Sequence, residues 1–321
     1  MPEATSGPRH GLRIPVEPGE PFGRCTIDGF VALPQGGLPR LVAVCLPGGG
    51  YTAAGYYDFA VAGESGYSMV EALTAEGIAV VGLDHLGVGE STRPQPAALL
   101  GAEGLAAANH AAVLWVVDRL ARGELVPGLA PLAVPVIGVG HSMGAALTMV
   151  QQANHASYDG VVLLGMTAVA GLGAEHGGEA GTSARDTAER ALRAVAAEET
   201  WESGYFAPLR SRTQQLFYLD DVPANVIAAD TAGATTVPRA AATDISTRGF
   251  LVPHAGRIAV PALVAFGEVD LSPDPHGEAA FYGRCDDFTL VCLPGAAHCH
   301  NMATTRHRLW RRVAAWTRLF G

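Results

Sequence analysis

The pentapeptide Gly140-His-Ser-Met-Gly144 places a serine between two glycines, with one residue on each side separating it from them. The apolar run Pro135–Gly140 precedes it, and the helix-forming run Ala145–Ala153 follows. A strand that turns sharply into a helix at that point presents a hydroxyl at the strand's carboxyl end. It also aims the first N–H groups of the helix at the same place. The glycines are needed because side chains at the flanking positions would collide with neighbouring elements. Ser142 is therefore the candidate nucleophile, and its chemistry is attack on an acyl carbonyl.

A serine hydroxyl needs a base, and the base needs a carboxylate to orient it, in the chain order Ser, acid, His for this motif class. The apolar run Val260–Phe266 leads into Gly267-Glu-Val-Asp270, and Phe288–Leu293 leads into Pro294-Gly-Ala-Ala-His298. Adjacent parallel strands would bring Asp270 and His298 to one edge of a sheet, where both can approach Ser142. Glu268 and Asp274 compete with Asp270, and the spacing to the strand favours Asp270. His300 competes with His298, and His298-Cys-His300 invites a metal reading. Only Cys299 would add a soft ligand there, and no distant partner motif accompanies it, so no metal site is expected.

Leu46-Pro-Gly-Gly-Gly-Tyr51 directly follows the strand-like run Arg40–Leu46. A glycine loop there can turn main-chain N–H groups toward an oxyanion. The Met143 N–H supplies one donor in this reading and Gly49 the other. Gly50 is the close alternative, because sequence does not fix the register of three glycines.

The elements that must position these groups alternate between short β-type runs and helix-length segments. That pattern predicts a mostly parallel sheet with crossover helices. Strands are expected at Cys25–Leu33, Arg40–Leu46, Ile78–Leu83, Pro135–Gly140, Gly160–Leu164, Val260–Phe266 and Phe288–Leu293. Helices are expected at Tyr67–Ala75 (stopped by Gly77), Gly104–Leu120, Ala145–Ala153 and about Thr304–Leu319. From Thr167 to Arg257 strand signals fade into Gly- and Ala-rich pieces, a charged helical stretch Ala184–Glu199, and scattered aromatics. Residues 1–24 read as an N-terminal arm without the apolar region of a secretory signal.

Composition narrows the function classes. The net charge of −10, without a basic cluster, argues against nucleic-acid or anionic-membrane partners. All 21 basic residues are arginines, so Schiff-base lysines, Ser-Lys dyads and P-loop lysines are excluded. No apolar run reaches the roughly 18 residues of a membrane span. The five cysteines lack metal-type spacing, and Cys45 and Cys292 sit in apolar runs as small hydrophobes. A cytoplasmic location fits that usage. The expected partner is a small-molecule substrate, with no cofactor; a homodimer is left open.

Gly-Gly-Gly after the third strand, Asp84-His-Leu-Gly-Val-Gly-Glu-Ser91 after the fourth, Gly-His-Ser-Met-Gly, Gly-Glu-Val-Asp and Gly-Ala-Ala-His together resemble the α/β-hydrolase superfamily. The resemblance covers the chain from about Cys25 to the C-terminus apart from the insertion. It implies a mostly parallel eight-stranded sheet flanked by helices, the triad Ser142–Asp270–His298, and a mainly helical cap inserted after the sixth strand. The core is then 25–166 with 258–321, and the cap is 167–257. The chain departs from the pattern where Pro47-Gly48 replaces the usual His-Gly of the oxyanion loop. The loop carrying His85 is implied to be mainly structural.

A serine at the elbow disfavours haloalkane dehalogenase and epoxide hydrolase chemistry, which use an aspartate there in this superfamily. Hydrolysis of an ester, lactone or thioester of a small, apolar substrate is expected. C–C bond hydrolysis, or a non-hydrolytic binder or cyclase on the same scaffold, is the alternative. Tyr51, His85, His141, Trp201, Phe206 and Phe217 are the candidates for substrate contact. Arg210 and Arg212 keep a polyanionic substrate such as coenzyme A in view.

Overall fold

A computed structural model describes residues 9–169, 204–208 and 210–321. Trp201 and the expected helix Ala184–Glu199 lie outside them. The chain runs β1 Arg9–Val16, β2 Cys25–Ala32, β3 Leu41–Leu46, α1 Ala53–Tyr57, α2 Met69–Thr74, β4 Ile78–Leu83, α3 Ala102–Arg122, β5 Val136–His141, α4 Met143–His155 and β6 Gly160–Leu164. It continues through β7 Tyr205–Phe206, α5 Arg210–Phe217, α6 Ala224–Ala232, β8 Val237–Pro238, α7 Arg239–Ser246 and α8 Val252–Ala255. It closes with β9 Ala262–Val269, β10 Phe288–Ala297 and α9 Arg306–Trp316.

Eight strands form one sheet in the order β1-β2-β4-β3-β5-β6-β9-β10. Strands β4 to β10 of that order are parallel, and β1 and β2 join by antiparallel pairing. The parallel strands are apolar on both faces, as a sheet covered by helices on each side requires. In β3, Val42, Val44 and Leu46 face the layer that contains the buried residues of α3 and α4. Leu41, Ala43 and Cys45 face the opposite layer, with residues of α1, α2 and α9. Gly77, with φ +76°, ends α2 as expected of a helix stop. The chain between β6 and β9 is an insertion, because those strands are direct parallel neighbours. Within its described part, β7 and β8 form a two-stranded ribbon beside short helices.

Two expectations are corrected. Residues 9–16 are not part of a loose arm: they are the edge strand β1, with Leu12, Ile14 and Val16 buried on alternate positions. Arg9, Arg13 and Pro15 share that stretch and mask its apolar face, and a proline is tolerated on an edge strand. Cys292 is exposed rather than packed. It lies on the edge strand β10, where alternate residues turn outward between the buried Val291 and Leu293. Among the described residues, no helix is long and apolar enough to cross a membrane.

Candidate active site

β5 is buried along its whole length and delivers Ser142 to the carboxyl edge of the sheet; α4 starts at the next residue. Ser142 takes φ 51° and ψ −121°, a backbone state that an L-residue holds only when its surroundings enforce it. The Ser142 N–H donates to the Leu164 carbonyl of β6 at 2.8 Å, and the Ser142 carbonyl accepts from the Ala146 N–H at 3.0 Å. Both flanking glycines are sterically required. A Cβ at Gly140 would lie 2.4 Å from the Gly144 oxygen, and one at Gly144 would lie 2.1 Å from the Leu46 oxygen. The first N–H groups of α4 have no carbonyl one turn back within the helix, the arrangement by which a helix start can meet an anion.

Asp270 follows β9 and His298 follows β10, two paired parallel strands. Both strands run further than the sequence suggests, with a register irregularity between Leu293 and Ala297. His298 Nδ1 lies 2.7 Å from Asp270 Oδ1, and both side chains are buried. The Leu271 N–H also donates to Oδ1, at 2.8 Å, and the Gly267 N–H donates to Oδ2 at 2.8 Å. His300 Nε2 lies 2.9 Å from Oδ2. Burial alone would raise the Asp270 carboxyl, but the attraction of His298 and the hydrogen bonds from both imidazoles outweigh it and hold Asp270 well below the usual carboxylate range. Glu268 is directed elsewhere, accepting the Gly295 N–H at 3.0 Å. Gly165, directly after β6, stands beside the pair: a Cβ there would lie 2.9 Å from His298 Nδ1.

The three glycines after β3 face three different neighbours. A Cβ at Gly48 would meet His141 Nδ1 at 2.8 Å and Ser142 Cβ at 3.1 Å. One at Gly49 would make ordinary contact with Val237 at 3.6 Å and Met143 Sδ at 3.9 Å. Gly50 turns away, with φ +78° and its Cβ position against Pro208 of the insertion. Its carbonyl accepts from Arg210 Nη2 at 2.8 Å and from the Thr235 N–H at 3.0 Å. Gly50 is therefore the loop's anchor to the insertion, and Gly48 is the glycine packed on the elbow.

A strained serine turn, a buried Asp–His pair and a glycine loop thus share one sheet edge. A family model described as serine aminopeptidase, S33, matches residues 64–302 of this chain. The chain belongs to that family of α/β-hydrolases. A search of curated protein sequences finds no match. Among solved structures, a thermophilic esterase from Thermogutta terrifontis is similar at 16% identity and TM-score 0.63, covering 96% of this chain and 99% of its own. Proline iminopeptidase from Mycobacterium smegmatis is 18% identical at TM-score 0.61, covering 96% and 98%. A thermostable carboxyl esterase from Bacillus coagulans is 15% identical at TM-score 0.61, covering 98% and 99%. Identities this low speak to the shared fold alone.

In this α/β-hydrolase most polar candidates for substrate contact are occupied by the protein itself. His85 is fully buried; its Nε2–H donates to the Pro47 carbonyl at 3.0 Å and its Nδ1 accepts from Asn109 Nδ2 at 3.1 Å. Burial lowers its pKa to about 4, so it stays neutral and holds the glycine loop from below. His141 stacks on Tyr56 at 4.0 Å and donates Nε2–H to the His298 carbonyl at 2.9 Å. It too is buried, and burial followed by the neighbouring His298 and His300 keeps it well below its ordinary value. Phe206 is half-buried in the β7–β8 ribbon and packs on the core. Phe217 is the exception: its ring centroid lies 5.6 Å from that of His298.

Tyr51 belongs to a buried cluster that sequence reasoning did not assemble. Its hydroxyl donates to Asp230 Oδ2 at 3.0 Å and lies 3.2 Å from Cys299 Sγ. The Tyr218 hydroxyl donates to the same carboxylate oxygen. Arg210 stacks 3.7 Å above the Tyr51 ring, with Nε 3.5 Å from Asp230 Oδ2. Burial raises the Asp230 carboxyl, and Arg210 and the two hydroxyls oppose that rise. The Arg210 charge is thus matched inside the protein. The insertion also reaches the sheet edge that carries His298, because the His298 and Cys299 N–H groups donate to the Leu216 and Phe217 carbonyls at 3.0 and 3.1 Å. The signal in the sequence was the Arg/Asp/Tyr content of the insertion, but its partners lie far away in the chain.

Proposed function

We propose that this hydrolase cleaves a carboxylic ester, lactone or thioester of a small, apolar substrate through an acyl-enzyme intermediate. The observation that carries this reading is the enforced left-handed φ of Ser142 at the sheet edge that also holds the Asp270–His298 pair at 2.7 Å. In the proposed cycle, His298 Nε2 takes the Ser142 hydroxyl proton as Oγ attacks the acyl carbon. The tetrahedral oxyanion is met by the N–H groups of Met143 and Gly49. The imidazolium, oriented and stabilised by Asp270, returns the proton to the leaving group as the acyl–leaving-group bond breaks. Water, deprotonated by the same imidazole, then releases the acid and restores the serine. The insertion, proposed as a cap, lays Phe217 beside His298, which suits an apolar acyl group.

The test is a fluorophosphonate probe with peptide mapping, beside turnover of p-nitrophenyl esters, lactones and thioesters. Labelling of Ser142, and a loss of about 10⁴-fold or more in kcat for Ser142→Ala with unchanged folding, are expected. Folded protein that resists the probe would instead favour a binder on the same scaffold. Near-normal turnover in Ser142→Ala would remove the serine mechanism altogether.

A further inference from the structure

We infer that His300 is a positioning residue for Asp270 that sets the base strength of His298; the inference rests on the triad proposed above. Asp270 divides its acceptors evenly. Oδ1 serves His298 Nδ1 and the Leu271 N–H, whereas Oδ2 serves the Gly267 N–H and His300 Nε2, at 2.9 Å. The second imidazole therefore binds the carboxylate oxygen that the first does not use.

The tautomer of neutral His300 follows from its surroundings. Its side chain is fully buried, and among the described residues Nδ1 has no hydrogen-bond partner. A proton on both nitrogens would leave a charged donor facing no acceptor, which is costly in a dry site. The neutral form with the proton on Nε2 is the state that satisfies Asp270. The titratable groups around His300 are Asp270 from the β9 side, His298 and Cys299 from its own loop, and His141 from β5. The His141 ring centroid lies 5.8 Å away, and beyond it the Tyr56 ring stacks on His141. Of these groups Asp270 is the one within hydrogen-bond distance of the His300 ring.

Each N–H given to Asp270 withdraws part of the negative charge that would otherwise stabilise the His298 imidazolium. A donor on Oδ2 thus keeps His298 deprotonated, and ready as a base, to lower pH. Removing the donor concentrates that charge on His298 and moves the acid limb of the rate profile upward. A residue that only filled space would leave that limb in place.

The experiment compares His300→Leu, which has no donor, with His300→Gln, whose side-chain amide can reach the same oxygen. The pH dependence of kcat/KM is read with p-nitrophenyl butyrate. The acid-limb pKa of His300→Leu should rise by about half to one unit, while that of His300→Gln stays near the wild-type value. An unmoved limb in folded His300→Leu, or the same rise in both variants, overturns the inference. Nitrogen-15 histidine spectra of the unaltered protein supply a second readout, independent of turnover and of how the variants fold. Neutral His300 should carry its proton on Nε2. Neutral His300 with its proton on Nδ1 instead overturns the inference even if Ser142→Ala behaves as expected. Loss of the serine mechanism alone would leave the tautomer result standing.

Discussion

Arg210 Nη2 donates to the Gly50 carbonyl across 2.8 Å, so a cation on the insertion holds the end of the glycine loop beside Ser142. The guanidinium is buried against Asp230, with both side chains at most 2% exposed. Arg210→Met would remove the loop's anchor and leave the Asp230 carboxylate buried with only tyrosine hydroxyls. A destabilisation of about 3–5 kcal/mol is expected, as for breaking one partner of a buried pair. Adding Asp230→Asn should return part of that loss, because no uncompensated charge then remains. Urea unfolding of the four-member cycle reads the coupling, and strict additivity would show that the two groups do not support each other.

Asp84 holds the start of α1, just after that loop. Its Oδ1 accepts the Ala53 N–H at 2.7 Å, and burial, opposed by that bond, raises its pKa to about 7. A carboxyl raised in the folded state favours folding below its unfolded value near 3.8, and that contribution is lost as pH climbs through about 7. Asp84→Asn keeps an acceptor for Ala53 and never ionises. Its stability relative to the wild-type protein should therefore improve between pH 5 and pH 8, by at most about 2.5 kcal/mol. Thermal or urea unfolding at both pH values checks the sign, and a relative gain toward low pH would contradict it.

The parts of the molecule that were legible in the sequence are those governed by local pattern. Continuous Val/Ile/Leu runs marked the buried parallel strands, and the spacing of Asp270 from its strand picked it over Glu268. The edge strand β1 stayed hidden because Arg9, Arg13 and Pro15 interrupt a period-two pattern carried by only Leu12, Ile14 and Val16. The roles of Gly48, Gly49 and Gly50 were unreadable because three identical residues contain no register, and only neighbours from β5 and the insertion distinguish them. The Tyr51–Asp230–Arg210 cluster joins the glycine loop to two helices of the insertion. No sequence period encodes such a meeting. His85 and His141 looked available as polar side chains beside motifs, yet tertiary packing satisfies or encloses them.

The pairing of Asp270 with two imidazoles gives acid sensitivity of the opposite sign to that of Asp84. Its carboxyl is depressed in the folded state, so its contribution is present above the unfolded value near 3.8 and is lost as pH falls toward the lower folded value. Asp270→Asn should reduce kcat by about 10⁴-fold, since the imidazole loses its tautomeric anchor. The variant should also be less stable near neutrality, with the gap to the wild-type protein narrowing below about pH 4. Unfolding curves from pH 7 down to the acid transition measure that gap, and a constant difference would mean that Asp270 is not held as a charged group.

Gly48 and Gly49 separate packing on the elbow from the proposed supply of an oxyanion donor. Alanine at Gly48 would place a methyl 2.8 Å from His141 Nδ1 and 3.1 Å from Ser142 Cβ. Neither neighbour can yield easily: Ser142 is fixed at its backbone, and His141 is stacked on Tyr56 and tied to the His298 carbonyl. The methyl must displace the serine or push the histidine against the His298 loop, and misplacement of about 1 Å costs on the order of 10²-fold in rate. At Gly49 the added methyl has its nearest contacts at 3.6 Å or more, and the main-chain N–H is retained. Gly49→Ala should therefore keep kcat within about tenfold of the wild-type value, while Gly48→Ala loses about 10²-fold or more. Steady-state rates with one ester, together with circular dichroism to verify folding, decide the order. A reversal, with Gly49→Ala the inactive variant, would mean that the acyl group itself packs where the Gly49 methyl would stand.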